Sequence, residues 1–229
     1  MAENESSYCM AVGPHAGQRN TRAAAVKSLL WANGQTITVR FLGGSEQLRA
    51  RVRSVAAEWT ASDTANLRFA FVERGHADIR ISFVAGNGSW STIGTVARQV
   101  DRTEPTMNYG WLTDESSDDT LRRVVLHEFG HALGLIHEHQ NPKHAIDWNR
   151  DAVIADLSRP PNSWDLEKIE RNMFAAYEPQ AVEATDTDPL SIMMYPIPRS
   201  WTNDGFSAGL NSALSAKDHQ LIQQVYSRV

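Results

Sequence analysis

The residues best suited to chemistry lie together in residues 127–137, which read H-E-F-G-H-A-L-G-L-I-H. His127 and His131 are four positions apart, so on a helix their imidazoles project from the same face, one turn from each other. Two nitrogens placed in this way can bind one zinc ion at about 2.0–2.1 Å. Glu128, next to the first histidine, could then remove the proton of a zinc-bound water.

A third ligand depends on Gly134, where the helix must end so that the chain can turn and bring His137 back to the metal. Glycine adopts the left-handed backbone of such a turn without steric cost. Three histidines leave a fourth coordination position for water, which is typical of a catalytic rather than a structural zinc site. The pattern therefore predicts a zinc hydrolase whose metal ligands are His127, His131 and His137.

These eleven residues resemble the signature of the metzincin metallopeptidases, in which H-E-x-x-H-x-x-G-x-x-H is followed downstream by a methionine-containing turn, the Met-turn. Residues 191–196, S-I-M-M-Y-P, resemble that turn. Glu138 after the third histidine and the Ser-Ile-Met-x-Tyr pattern are similar to the astacin family. The resemblance implies that Met193 lies beneath the metal. It also implies that Tyr195 approaches the zinc as an additional ligand and stabilises the transition state.

The same resemblance implies an α+β fold of the metzincin type. Its N-terminal lobe would contain a five-stranded mixed sheet and the active-site helix, and its smaller C-terminal lobe would be irregular and helical. We expect a single catalytic domain over residues 31–229, with an upper lobe of residues 31–134 and a lower lobe of residues 135–229. Residues 1–30 would form a separate N-terminal segment. In astacins the residue at the position of Glu138 pairs with the buried mature N-terminus; if residues 1–20 stay attached, that partner is absent and Glu138 needs another.

Hydrophobic periodicity predicts the elements that would position these residues. The expected strands are residues 35–42, 67–72, 77–84, 91–96 and 105–111, and the expected helices are residues 45–59, 116–134, 149–157, 164–173 and 215–226. A helix between the first two strands implies a right-handed crossover and a mixed sheet. The metzincin resemblance implies that residues 91–96 form an exposed edge strand, which could accept an extended peptide substrate; the alternative is part of an ordinary hairpin.

The composition is that of an ordinary globular protein, with 229 residues, 41% hydrophobic and 21% charged. A net charge of −5 and a pI near 5.9 argue against nucleic acid or acidic membranes as partners. The expected partner is a peptide or protein substrate in extended conformation, and the oligomeric state is open. Residues 1–13 lack the features of a secretory leader, whereas the resemblance implies secretion, so secreted and cytoplasmic locations are both retained.

The single cysteine, Cys9, excludes an internal disulfide, whereas astacins typically carry two. Its thiolate could occupy the fourth zinc position and displace the catalytic water, which would make the chain a latent zymogen. The alternative is a thiol without a role. The surrounding residues do not match the usual cysteine-switch sequence, and astacin pro-segments normally use an aspartate, so both interpretations are kept.

The expected function is that of a zinc-dependent endopeptidase, in which zinc-bound water attacks the peptide bond with Glu128 as general base and Tyr195 as stabiliser of the transition state. One alternative is a latent zymogen held shut by Cys9, and another is a catalytically inactive binding protein stabilised by zinc. The intact Glu128 argues against the binding protein, because a pure binder needs no base beside its metal. A serralysin-type metzincin is disfavoured by the absence of Gly/Asp-rich calcium repeats.

Overall fold

A computed structural model describes residues 10–12, 25–61, 64–142, 145–160, 162–175, 182–183 and 186–227. The strands are β1 (Met10–Val12), β2 (Ala25–Val26), β3 (Thr36–Phe41), β4 (Arg68–Phe71), β5 (Ile79–Ser82), β6 (Ser89–Thr92), β7 (Met107–Tyr109) and β8 (Val182–Glu183). The α-helices are α1 (Glu46–Ala56), α2 (Asp118–Ala132), α3 (Arg150–Leu157), α4 (Leu166–Ile169) and α5 (Ala216–Val225).

The upper part of the molecule is built on one mixed sheet. Within the described residues its strand order is β1-β6-β7-β5-β3-β4. Strand β3 pairs parallel with β4 and β5, β5 pairs parallel with β7, and β6 runs antiparallel to β7. Helix α1 makes the connection between the parallel strands β3 and β4. The α+β fold with a five-stranded mixed sheet is confirmed, and β1 adds a sixth short strand at one edge.

That edge differs from the strand predicted for residues 91–96. Strand β6 ends two residues before Gly94, and a 3-10 helix, Gly94–Arg98, follows. Gly94 has a φ of +51°, and a Cβ at this position would overlap the carbonyl of Leu29, so the chain turns away from the sheet here. The edge is also paired, because β1 runs parallel to β6. The expectation of an unpaired edge strand at residues 91–96 is therefore wrong.

The main core lies between the sheet and the helices α1, α2 and α5, and it contains large side chains such as Trp59, Tyr109, Phe129 and Tyr226. The indole Nε1 of Trp59 donates a hydrogen bond to the carbonyl of Leu126 in α2 at 2.9 Å. The ring of Phe129 packs edge-on against a phenylalanine of β4 with centroids 5.0 Å apart. Helix α2 is thus packed on several sides, which holds its residues in place.

The C-terminal part has a second, smaller core. Helices α3 and α4 pack there and begin at the side-chain caps Asn149 and Asp165. The helix predicted for residues 164–173 continues beyond α4 as a π-helical segment, Glu170–Phe174. None of the helices in the described part of the chain is both long and apolar enough to span a bilayer. The division into a segment and a two-lobed domain stays a prediction.

The Tyr226 hydroxyl joins the C-terminal helix to the end of α2. It donates to the carbonyl of Leu133 at 2.6 Å and accepts from the backbone N–H of Trp31 at 3.2 Å. Replacing Tyr226 by Phe removes the partner of both buried backbone groups. We expect Tyr226→Phe to lower the free energy of unfolding by about 1–3 kcal/mol in urea titrations. An unchanged free energy would contradict this role.

Candidate metal centre

The end of helix α2 is built so that the chain reverses direction immediately after it. Ala132 is the last helical residue, and Gly134 adopts a left-handed backbone with a φ of +98°. The N–H of Leu135 donates to the carbonyl of Gly130 at 3.0 Å, and the N–H of Gly134 donates to the carbonyl of His131 at 2.8 Å. This pair of bonds is the Schellman motif, which satisfies the last helical carbonyls. The helix therefore ends with a left-handed turn at Gly134, as the sequence predicted.

The reversal brings three imidazoles together. Ligand-type nitrogens of His127, His131 and His137 all lie within 4.8 Å of one another, and all three side chains are buried. The Nε2 atoms of His131 and His137 are 3.2 Å apart. Two nitrogens that bind one zinc ion at 2.0–2.1 Å in tetrahedral geometry lie about 3.3 Å apart. The donor set and its spacing therefore fit a single tetrahedral zinc ion.

Backbone carbonyls orient two of these rings. The Nδ1–H of His127 donates to the carbonyl of Ile192 at 2.7 Å, and the Nδ1–H of His131 donates to the carbonyl of Leu135 at 2.9 Å. With the proton on Nδ1, the lone pair of each ring is on Nε2 and available to a metal. Sequence reasoning did not find these partners, because any residue type supplies a backbone carbonyl.

Burial also keeps the three rings neutral. It lowers the pKa of His127 to about 4. The pKa values of His131 and His137 lie well below their ordinary range, first because of burial and then because of the neighbouring imidazoles. Metal binding requires the neutral form of histidine. At neutral pH the cluster is therefore ready to accept a divalent cation without releasing protons.

Glu128 and Tyr195 both line a solvent-open pocket beside the histidines. Glu128 is almost fully buried, on the same helix as the first two histidines. The other lining residues come from the loop before α2, from α2 itself and from the segments near the Met-turn sequence; they are Trp111, Arg123, Val124, His127, Met194, Pro196, Leu210 and Asn211. A carboxylate, an imidazole and a phenol thus face one cavity, which is an arrangement suited to acid–base chemistry on a bound substrate.

Tyr195 lies against the histidine cluster. Its ring centroid is 4.2 Å from that of His137 and 4.5 Å from that of His139. His139 is buried, and its Nε2–H donates to the carbonyl of Asn172 at 2.8 Å. Burial lowers the pKa of His139 to about 4. His139 therefore packs against the ring of Tyr195, and among the described residues the convergent group consists of His127, His131 and His137.

Met193 lies under α2, and its position explains one residue of the motif that the sequence treated as variable. A Cβ at Gly130 would overlap the Met193 sulfur and would lie 3.3 Å from the indole ring of Trp59. The carbonyl of Met193 accepts from the N–H of Glu138 at 2.9 Å. Gly130 is therefore required so that the methionine can approach the helix, and no sequence signal within the motif indicated this.

Glu138 is buried, and in the described part of the chain its Oε1 has two donors. The amide Nδ2 of Asn141 donates to it at 2.9 Å, and the N–H of Asp188 donates at 3.2 Å. Burial nevertheless raises the pKa of Glu138 to about 7. The resemblance implied a mature N-terminus as its partner. Cys9, the predicted latch, lies outside the described residues.

The substitution Gly130→Ala distinguishes the intrinsic helix preference of alanine from the packing of Met193 against α2. In an isolated helix alanine is favoured over glycine by about 1 kcal/mol. Here we expect the added methyl group to collide with Met193 and to destabilise the fold by about 1–3 kcal/mol, measured by urea unfolding. Gly43→Ala, at a glycine with open space around its Cβ position, is the matched control. A more stable Gly130→Ala variant would contradict the packing described.

Glu138 predicts a pH dependence of stability in the metal-free chain. The pKa of Glu138 is about 7 in the folded state, whereas its ordinary value is 4.5. Between pH 4.5 and 7 the carboxyl group is therefore protonated in the folded chain and ionised in the unfolded chain. The contribution of Glu138 to stability therefore falls as the pH rises from 4.5 to 7. We expect Glu138→Gln to gain up to about 3 kcal/mol relative to the parent over this interval, by urea unfolding with chelator present. Glu115→Gln, at an exposed carboxylate, is the control, and a pH-independent difference for Glu138→Gln would refute the effect.

Comparison with known proteins agrees with this geometry. A peptidase family model described as matrixin matches residues 30–147, which include strands β3 to β7 of the sheet, α2 and the three histidines. Zinc metalloproteinase nas-37 from Caenorhabditis elegans is 35% identical over 108 residues, which are 47% of this chain and 12% of that protein. This chain therefore spans only a small part of the length of that relative.

Solved structures extend the comparison to most of the chain. One structure of myroilysin is 44% identical with a TM-score of 0.87, and the match covers 90% of this chain and 98% of that one. High choriolytic enzyme 1, a hatching enzyme zinc-protease from the medaka fish Oryzias latipes, is 19% identical with a TM-score of 0.55, covers 89% and 96% of the two chains, and shows the fold alone. Because the matrixin model matches more than half of the sequence and includes the convergent histidines, the chain belongs to the matrixin family of metzincin metallopeptidases.

Proposed function

We propose that this chain is a zinc-dependent endopeptidase that cleaves peptide or protein substrates bound in extended conformation. The observation that carries the proposal is the convergence of three buried, neutral imidazoles beside an open pocket whose wall contains Glu128. The net charge of −5 supports a peptide rather than a nucleic acid as the partner.

We further propose that, among metzincin sites, the details of this site are astacin-like, with a Met-turn at residues 191–196. The support comes from Glu138 directly after the third ligand and from the Ser-Ile-Met-x-Tyr pattern. The packing of Met193 against Gly130, directly below the helix that carries two of the ligands, is in keeping with a methionine beneath the metal. The proximity of Tyr195 to His137 is in keeping with the role that the resemblance implies for this tyrosine.

The mechanism follows from the residues around the pocket. Zinc, when bound, supplies a Lewis acid that polarises the scissile carbonyl and makes water a stronger acid. Glu128 takes a proton from the attacking water and passes it to the departing amine. The Tyr195 hydroxyl donates a hydrogen bond to the oxyanion that develops on the carbonyl. The carbonyls of Ile192 and Leu135 keep two of the ligand rings in place during these steps.

Glu128→Gln tests the proposal directly. We expect it to lower kcat/KM for casein or a generic peptide by about a thousandfold, because the general base is lost. Zinc content, measured by atomic absorption, and melting temperature should be retained. Cleavage by the parent should stop when a chelator is added and return with zinc. A parent that binds zinc but cleaves nothing in any form would support the inactive binding protein instead.

A latent form of the same enzyme is the second function that a specific observation favours. Strand β1 pairs parallel with β6, with Met10 opposite Trp90, so the N-terminal segment uses the backbone groups of the edge strand. An extended substrate that added to this edge would need the same groups. Cys9 directly precedes β1, and its thiolate is a good zinc ligand. We propose that residues 1–30 restrain the enzyme until they are displaced.

Cys9→Ala distinguishes a thiolate latch from an idle thiol. If the latch operates, the full-length variant should cleave casein about tenfold faster than the full-length parent, which corresponds to about 1.4 kcal/mol. Initial rates of both proteins are compared under reducing conditions, together with their zinc contents. Equal rates would dismiss Cys9 as a latch and leave only the pairing of β1 with β6 as a restraint.

A further inference from the structure

The hydroxyl of Tyr109 is buried without a hydrogen-bond partner among the described residues. Tyr109 ends strand β7, and its side chain is fully inaccessible to solvent. Proteins rarely bury a phenol hydroxyl in this way, because the group loses its water and receives nothing in exchange. By contrast, the hydroxyl of Tyr226, another tyrosine of the same core, both accepts one hydrogen bond and donates another. The Tyr109 hydroxyl therefore requires an explanation.

Strand geometry places Tyr109 on the side of the sheet that faces α2. Its ring belongs to the core cluster that contains Val124 and Val125 of that helix. The preceding residue, Asn108, points to the opposite side, where its amide donates to the carbonyls of a neighbouring loop. Two residues after Tyr109, the side chain of Trp111 lines the same pocket as Glu128. The end of β7 and the general base thus share one wall of the site.

The charge of Glu128 acts on this hydroxyl. Burial raises the pKa of Tyr109 well above its ordinary value, and the Glu128 carboxylate raises it further. The phenol is therefore protonated at every pH at which a peptidase works, and toward a carboxylate it can act only as a donor. A carboxylate offers about four acceptor sites, so Glu128 can accept this bond in addition to its contacts with water and substrate.

We propose that Tyr109 is a positioning residue for the general base, and that its hydroxyl donates a hydrogen bond to the Glu128 carboxylate, directly or through one bridging water. The bond restricts the rotation of the Glu128 side chain and keeps one oxygen turned toward the attacking water. A general base is effective only when it is held within hydrogen-bond reach of the proton that it removes. The inference rests on the proposed peptidase function, because it assigns a support to the base of that reaction.

Tyr109→Phe separates this role from that of an ordinary core residue. The variant is compared with the parent in the zinc-loaded, full-length preparation, by kcat and KM on a fluorogenic peptide and by melting temperature. We expect kcat to fall about tenfold while KM changes less than about twofold, because substrate contacts are untouched. The melting temperature should fall less than in Tyr226→Phe, because only one hydrogen bond is lost and its acceptor, Glu128, lines an open pocket that water can reach.

Tyr226→Phe is the matched control, because it deletes the same oxygen from a tyrosine of the same core. It should show the opposite pattern, a lower melting temperature with kcat within about twofold of the parent. If Tyr109→Phe retains the kcat of the parent, or if it behaves as Tyr226→Phe does, the positioning role is overturned.

A double-mutant cycle tests the contact without relying on catalysis. Melting temperatures are measured for the parent, Tyr109→Phe, Glu128→Ala and the double variant, because alanine, unlike glutamine, leaves no oxygen that could accept the bond. A hydrogen bond between the two groups makes the shifts non-additive, whereas independent residues give additive shifts. Additive shifts would overturn the contact even if the enzyme is active. If no preparation cleaves any peptide, the peptidase proposal fails, and the cycle still decides whether Tyr109 and Glu128 interact.

Discussion

The left-handed turn at Gly134 is the constraint on which the metal centre depends. The turn ends α2 and reverses the chain direction. The residue that follows it, Leu135, makes hydrogen bonds to α2 through both its N–H and its carbonyl group. The N–H of Leu135 closes the helix on the carbonyl of Gly130, and the carbonyl of Leu135 accepts from the ring of His131. The same turn carries the chain onward to His137, so that helix termination, ligand orientation and ligand convergence follow from one backbone conformation.

A second chain of contacts links the first ligand to the C-terminal helix. Asp218, in the first turn of α5, accepts from the hydroxyl of Ser191 at 2.6 Å and from the N–H of Ile192 at 2.8 Å. It also forms a capping box with Ser215. The carbonyl of Ile192 in turn orients His127. Asp218, in the first turn of the last helix, therefore supports the segment that orients His127, although the two residues are far apart in the sequence.

The N-terminal segment contacts the sheet through strand β1, which pairs with β6. Strand β6 lies between β7 and the short outermost strand β1, which pairs with the side of β6 that faces away from β7. Backbone groups on an edge strand can satisfy one partner strand at a time. An extended substrate that added to this side of β6, as proposed, would compete with the N-terminal segment, which gives the proposed restraint a physical basis that is independent of Cys9.

Local spacing was sufficient to predict the convergence of the three histidines and most of the secondary-structure elements. Two histidines on one helical face, a glycine stop and a third histidine are encoded within eleven residues, and the side-chain caps of α3, α4 and α5 lie next to the helices that they begin. Packing between distant segments decided the rest: the contact of Gly130 with Met193, the carbonyl that orients His127, the buried hydroxyl of Tyr109 and the occupied edge of the sheet. A sequence pattern reports what lies within a few turns of one element, whereas these contacts join segments tens of residues apart and exist only once the core has formed.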